Sequence, residues 1–272
     1  MEKVQVFGRL FLAVPMGVFG AEHFTAAKIV ASIVPSWIPG HLFWAYFVGA
    51  ALIAAAVSIT LKKYAVLAAA LLGGMIFSFV LLIHVPNLVS QPDDRFALAV
   101  LLRDLFFSGG AFAFALAAAS PSLDKARKMT IPIRLLIGIP AVVFGVEHFL
   151  HPEFVPVVPL NRLMPSWMPG HMMLAYVTGS VLIISGLSII VNWRSRLAAV
   201  LMGVMIFVIV LLVYLPIVIA KPSDIGNGLN YLADTLAFCG SALLLAGIMP
   251  KETYSGRSLE ERSRVATLSS SS

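Results

Sequence analysis

Charge is scarce in this chain. Only 12% of its 272 residues are charged, against 60% hydrophobic, whereas soluble domains carry about 25% charged residues. With a mean hydropathy of +0.95, that shortage argues against a water-soluble globule and points to lipid as the solvent. Cysteine is nearly absent too. Cys239 is the sole thiol, which excludes an intrachain disulfide, a Cys-x-x-Cys redox pair and a thiolate cluster for zinc or iron–sulfur. It lies in an apolar run and reads as a packed core residue. There is no His-x-x-x-His or Glu-x-x-His phrase and no Cys-x-x-Cys-His haem attachment phrase, so no metal site is expected. The net charge of +6 comes from short basic clusters between apolar runs. That distribution suits membrane orientation and not a phosphate-binding face, so nucleic acid is not an expected partner.

What the chain does have is a repeat. Pro35–His41 reads PSWIPGH and returns at Pro165–His171 as PSWMPGH. Upstream, PMGVFGAEHF at Pro15–Phe24 is matched by PAVVFGVEHF at Pro140–Phe149. One unit is therefore duplicated in tandem. The offset is 125 residues up to the Glu-His pair and 130 after it, so the second copy has five extra residues in the following loop. From there Tyr46 meets Tyr176, Pro86 meets Pro216 and Asp104 meets Asp234. His84 is matched by Tyr214, and Arg103 by Ala233. Ile131–Leu150, the counterpart of the N-terminal apolar run, is internal. A cleaved leader is therefore not expected.

At roughly 20 residues per span, the apolar runs predict an all-α membrane protein of eight helices, two parallel four-helix repeats. The first repeat predicts helices at Val4–Phe24, His41–Thr60, Tyr64–Val85 and Arg95–Ala119. The second predicts Ile131–Leu150, His171–Val191, Ser195–Leu215 and Leu229–Ile248. This divides the chain into repeats at 1–120 and 131–250, a cytoplasmic linker at 121–130 and a disordered cytoplasmic tail at 251–272. Pro15 and Pro140 should kink their helices. The Pro-Ser-Trp loops should lie at the membrane interface, anchored by Trp37 and Trp167. Fourteen of the lysines and arginines fall on one side of the membrane and five on the other. That asymmetry predicts a multi-pass protein of the cell (inner or plasma) membrane with both termini cytoplasmic.

This topology gathers the unusual polar residues toward the outer face. Glu22 and His23 close the first helix, His41 opens the second, His84 closes the third, and Arg103 and Asp104 lie in the fourth. Glu147, His148, His171, Tyr214 and Asp234 take the same places in the second repeat. Ionisable groups inside a membrane are costly, so they should face the bundle and pair. The simplest pairing joins Asp104 to His23 or His41 and leaves Glu22 for Arg103 or loop amides. Glu147 needs another partner, or a proton, since Ala233 replaces the arginine. Such a set can be glue between helices or the lining of an outward-opening pocket. The mismatched positions favour the first repeat as the more active copy.

A pocket with histidines and aromatic walls (Phe19, Trp37, Phe43, Trp44, Tyr46, Phe77) best suits a lipophilic, quinone-type ligand. His23, His41, Trp37, His84 and Arg103 are candidate binding residues, with their second-repeat counterparts; Glu22, His23 and Asp104 are candidates for proton exchange. A carrier for a small solute or lipophile, and a structural subunit, remain alternatives.

Gly-x-Glu-His-Phe closing the first helix, the Pro-rich loop before the second and the His-x-Pro turn after the third resemble the DoxX-like membrane proteins. The resemblance covers both repeats and implies a fused tandem of two four-helix units. It also implies association with respiratory or redox-defence assemblies, hence a redox partner subunit. Only the Glu-His pairs and the Pro-rich loops carry over, and no catalytic residue transfers.

Overall fold

Apolar sequence in lipid has no water for its backbone polar groups, so the chain satisfies them internally as helices. The computed structural model describes residues 2–157, 163–221 and 225–250. The expected tail at 251–272 lies outside the described residues. Among the described residues, eight helices are long and apolar enough to cross a membrane. Among the described residues there is no strand, only an isolated bridge between Phe154 and Leu163.

The first half contains α1 (Glu2–Thr25), a short α2 (Ala27–Ile33) and α3 (His41–Leu61). Its third span, Ala65–Ser90, is α4 (Ala65–Phe79), a π-helical turn at Val80–His84 and α5 (Val85–Ser90). Its fourth is α6 (Arg95–Ala119). The second half contains α7 (Leu123–Leu150), α8 (His171–Val191) and a span Ser195–Ala220. That span is α9 (Ser195–Ile209), a π turn at Val210–Tyr214 and α10 (Leu215–Ala220); α11 (Ile225–Ile248) follows.

Several boundaries differ from expectation. Residues 123–130, read as linker, are the first turns of α7, which runs unbroken past Pro132 and Pro140. The stretch after Thr25, read as loop, contains α2. The third and seventh spans outlast their expected ends at Val85 and Leu215, because a π turn precedes each proline. Pro86 and Pro216 have no N–H to give and crowd the carbonyl one turn back. The wider turn, with Val85 and Leu215 donating to the carbonyls of Val80 and Val210, takes up this misfit. Both turns end on a residue that the sequence made a site candidate, His84 or Tyr214.

Neighbouring helices run α1–α3–α4–α6–α7–α8–α9–α11 and back to α1, and α6 also packs on α11. These two are the most buried spans. Phe238 on α11 meets Phe106, Phe107 and Phe144 at ring separations of 4.8, 4.9 and 5.6 Å. Small residues bring α1 close to α3, and α7 close to α8. A Cβ at Gly49 would lie 2.7 Å from the Cβ of His23, and one at Gly179 would lie 3.0 Å from the Cβ of His148. Each Glu-His pair is thus pressed against the following span. At the opposite end, Arg9 donates to the carbonyls of Ile59 and Thr60, and Arg134 to that of Ile190. These arginines cap the C-termini of α3 and α8, where the dipole favours a cation.

Candidate functional site

The Glu-His phrase sits in the last turn and a half of α1, so its side chains diverge by about 100°. Glu22 turns toward α11 and accepts from Asn230 Nδ2 at 3.1 Å. His23 turns toward α3, and its Nδ1 donates to the Phe19 carbonyl one turn back, at 2.7 Å. Its Nε2 has no hydrogen-bond partner among the described residues.

Between α1, α2, α3, α4 and α6 lies a cavity of about 390 Å³. Its walls are mostly apolar and include Phe19, Val48, Leu52, Ile76, Phe79 and Phe107. Glu22, His23, Ser78, His84, Arg103, Asp104 and Asn230 form its polar lining. α2 covers one side through Val30 and Ile33, with Val34, Pro35 and Ile38 beyond it. Trp44 and Leu82, 39% and 46% exposed, stand at the rim.

The polar lining is bonded from several elements. Asp104, 6% exposed, accepts from His84 Nε2 at 2.9 Å and from Arg103 Nε at 2.9 Å. Arg103 also reaches Asp234 at 3.5 Å and lies 6.0 Å from the centre of the Phe107 ring. This is not the expected pairing. Asp104 sits too deep in α6 for His41, which stands at the start of α3; the π turn delivers His84 to it instead.

In the second half, the counterparts of His23 and His84 meet the chain itself. His148, 2% exposed, again donates from Nδ1 to the carbonyl one turn back, here Phe144. Its Nε2 accepts from the backbone N–H of Val157 at 2.8 Å. Val155 and Val157 are 0% and 2% exposed, and Tyr214 donates to the Pro156 carbonyl at 2.7 Å. The loop that carries the five extra residues therefore folds inward as a plug, with Val157 held at φ +77°, a region β-branched residues avoid. Arg95 steadies it, pairing with Glu147 at 3.4 Å and lying 5.2 Å from the Phe154 ring centre.

The sequence-derived candidates thus divide. Glu22, His23, His84, Arg103 and Asp104 come together on one cavity. Asp234 joins them through Arg103, buried behind the lining. Glu147, His148 and Tyr214 hold the plug or its neighbours. Trp37, His41 and His171 do not line the cavity: Trp37 is 67% exposed, and the histidines begin α3 and α8 at the bundle end. Of the expected aromatic wall, Phe19 and Trp44 line the cavity, while Phe43, Tyr46 and Phe77 do not.

Sequence reading did not select Asn230 or α2. Asn230 is an amide inside an apolar span, a signal that was visible. Ala27 and Val30 in α2, with Val34 just past its end, repeat at helical spacing, but a span this short is easily taken for loop. Comparison of the chain with protein-family models, with curated proteins and with solved structures finds no match in any of the three.

Proposed function

We propose that this multi-pass membrane protein binds a lipophilic, quinone-type molecule in its first-half cavity, as the membrane part of a redox-linked assembly. One contrast carries the reading. His23 leaves Nε2 without a partner among the described residues, at the wall of an open cavity, whereas His148 uses the same nitrogen to bind the chain's own plug. A volume of about 390 Å³ with apolar walls and a few polar groups suits a flat ring with polar oxygens and a hydrocarbon tail. Trp44 and Leu82 mark the side from which a molecule dissolved in the bilayer would enter.

A quinone and its quinol differ by two electrons and two protons. Glu22, His23, His84 and Asp104 are lining groups able to exchange the protons, and a redox partner subunit would exchange the electrons. The lysine and arginine asymmetry supports a cell-membrane location with both termini cytoplasmic, which puts the cavity near the outer face. The likeness to DoxX-like proteins supports the redox association and rests on the repeated phrases alone. A carrier would need a second polar opening. Below the cavity, however, the bundle is closed by Leu12, Ala13, Ile59, Ala69 and Leu72, all nearly fully buried.

The test is retention of quinone by protein extracted from its native membrane into lipid nanodiscs, beside a Val48→Trp variant that fills the apolar wall. About one quinone per wild-type chain, absent from a variant with an unchanged melting temperature, is the expected result. Equal retention by both proteins, or none by wild type in quinone-loaded discs, would overturn the proposal.

A further inference from the structure

The open cavity has a hydrogen-bond polarity, set by the ring nitrogen that His23 has already used. A carbonyl oxygen only accepts, so the 2.7 Å contact to Phe19 fixes the proton on Nδ1. Nε2 then offers a lone pair wherever the imidazole is neutral. The surroundings favour neutrality: among the described residues no carboxylate lies within ion-pair distance of His23, and an unpaired cation against apolar walls is costly.

The second half supplies an internal precedent. A backbone N–H only donates, so Val157 N–H on His148 Nε2 requires the Nδ1–H tautomer there. The plug occupies the place equivalent to the cavity and presents a donor to the histidine. Its Pro156 carbonyl meets the side chain at the end of the π turn, Tyr214, the counterpart of His84. The occupant of the open cavity faces the same acceptor, since Gly49 behind His23 fixes the ring's Cβ as Gly179 does for His148.

We infer that the cavity selects a ligand that donates an O–H to His23 Nε2, and thus holds the reduced quinol in preference to the quinone. This rests on the proposed function and names the redox form that the site favours. A quinone offers only carbonyl oxygens to a nitrogen that is itself an acceptor, so the lone pairs oppose one another. A tenfold preference for the quinol corresponds to about 30 mV in the potential of the bound two-electron couple, in the oxidising direction.

Three probes with one ring decide the matter: a short-chain quinol kept reduced without oxygen, its quinone, and the quinol dimethyl ether, which has no O–H. Their equilibrium binding is measured on the full chain in lipid nanodiscs. Wild type is expected to bind the quinol about tenfold more tightly than either of the others, and His23→Phe to reduce that gap to within about threefold. Equal affinity for the quinol and its ether, or tightest binding of the quinone, overturns the inference while leaving the pocket as a quinone site. Failure of all three to bind removes the quinone reading and this inference together. The wild-type comparison decides even if His23→Phe does not fold.

Discussion

Arg103 on α6 reaches Asp234 on α11, Nη1 to Oδ1 at 3.5 Å, while its Nε holds Asp104 at 2.9 Å. One guanidinium therefore serves the equivalent aspartates of both halves where the two central helices meet. Its own counterpart, Ala233, is 2% exposed, so the second half has no room for another arginine there. Arg103→Ala leaves Asp234 without its guanidinium and Asp104 with His84 alone. Removing one partner of a buried ion pair costs roughly 3–5 kcal/mol. The expected outcome is a large fall in melting temperature in detergent, partly restored by adding Asp234→Asn. An unchanged melting temperature would show that water reaches these carboxylates and stabilises them.

The plug should depend on the hydroxyl of Tyr214. Tyr214→Phe keeps the ring but removes the donor 2.7 Å from the buried Pro156 carbonyl. An unsatisfied buried acceptor costs about 1–3 kcal/mol. The predicted result is a lower melting temperature together with faster amide exchange at Val157, whose N–H lies in the same plug. If the stability falls without faster exchange at Val157, the hydroxyl does not hold the plug in place.

Most of the fold was legible in the sequence because lipid imposes one rule on every span. Arg95–Ala119 and His171–Val191 match the structure residue for residue. The misses arise where one element decides the fate of another. Pro86 looks like a helix end, yet the π turn at Val80–His84 absorbs it and swings His84 onto Asp104. The five extra residues after the second Glu-His pair could be counted, but nothing in their composition says that Val155 and Val157 turn inward. Their destination depends on a cavity that only the packed helices create. For the same reason Glu147, His148 and Tyr214 read as a second ligand site when they hold a piece of the chain.

Two glycines separate close packing from mere helix composition. At Gly49 an added Cβ would lie 2.7 Å from His23 Cβ and 3.0 Å from the Gly20 carbonyl, whereas at Gly74 nothing lies within 4 Å. Gly49→Ala should therefore destabilise the protein by roughly 1–3 kcal/mol through overpacking and displace His23. Gly74→Ala should be neutral or stabilising by about 0.5–1 kcal/mol, because alanine loses less backbone entropy in a helix. Paired thermal melts test this, and equal effects at the two positions would mean that α1 and α3 can separate at little cost.

The orientation of the bundle gives the last prediction. Arg9 and Arg134 cap α3 and α8 at the end that also carries Lys62, Lys63, Arg194 and Arg196. The cavity lies toward the other end, beside α2 and the Pro-Ser-Trp loop. If basic residues keep to the cytoplasm, the cavity opens toward the outside. Cys239 is fully buried with its Sγ 3.2 Å from the Gly203 carbonyl, so Cys239→Ala gives a thiol-free background at small cost. On that background Gln91→Cys should react with a membrane-impermeant maleimide in intact cells, and Lys62→Cys only after permeabilisation; both positions are exposed. The reverse pattern would place His23 and Asp104 near the cytoplasm. Under the proposed function, the cavity's protons would then come from the cytoplasmic side, and a redox partner would be sought there.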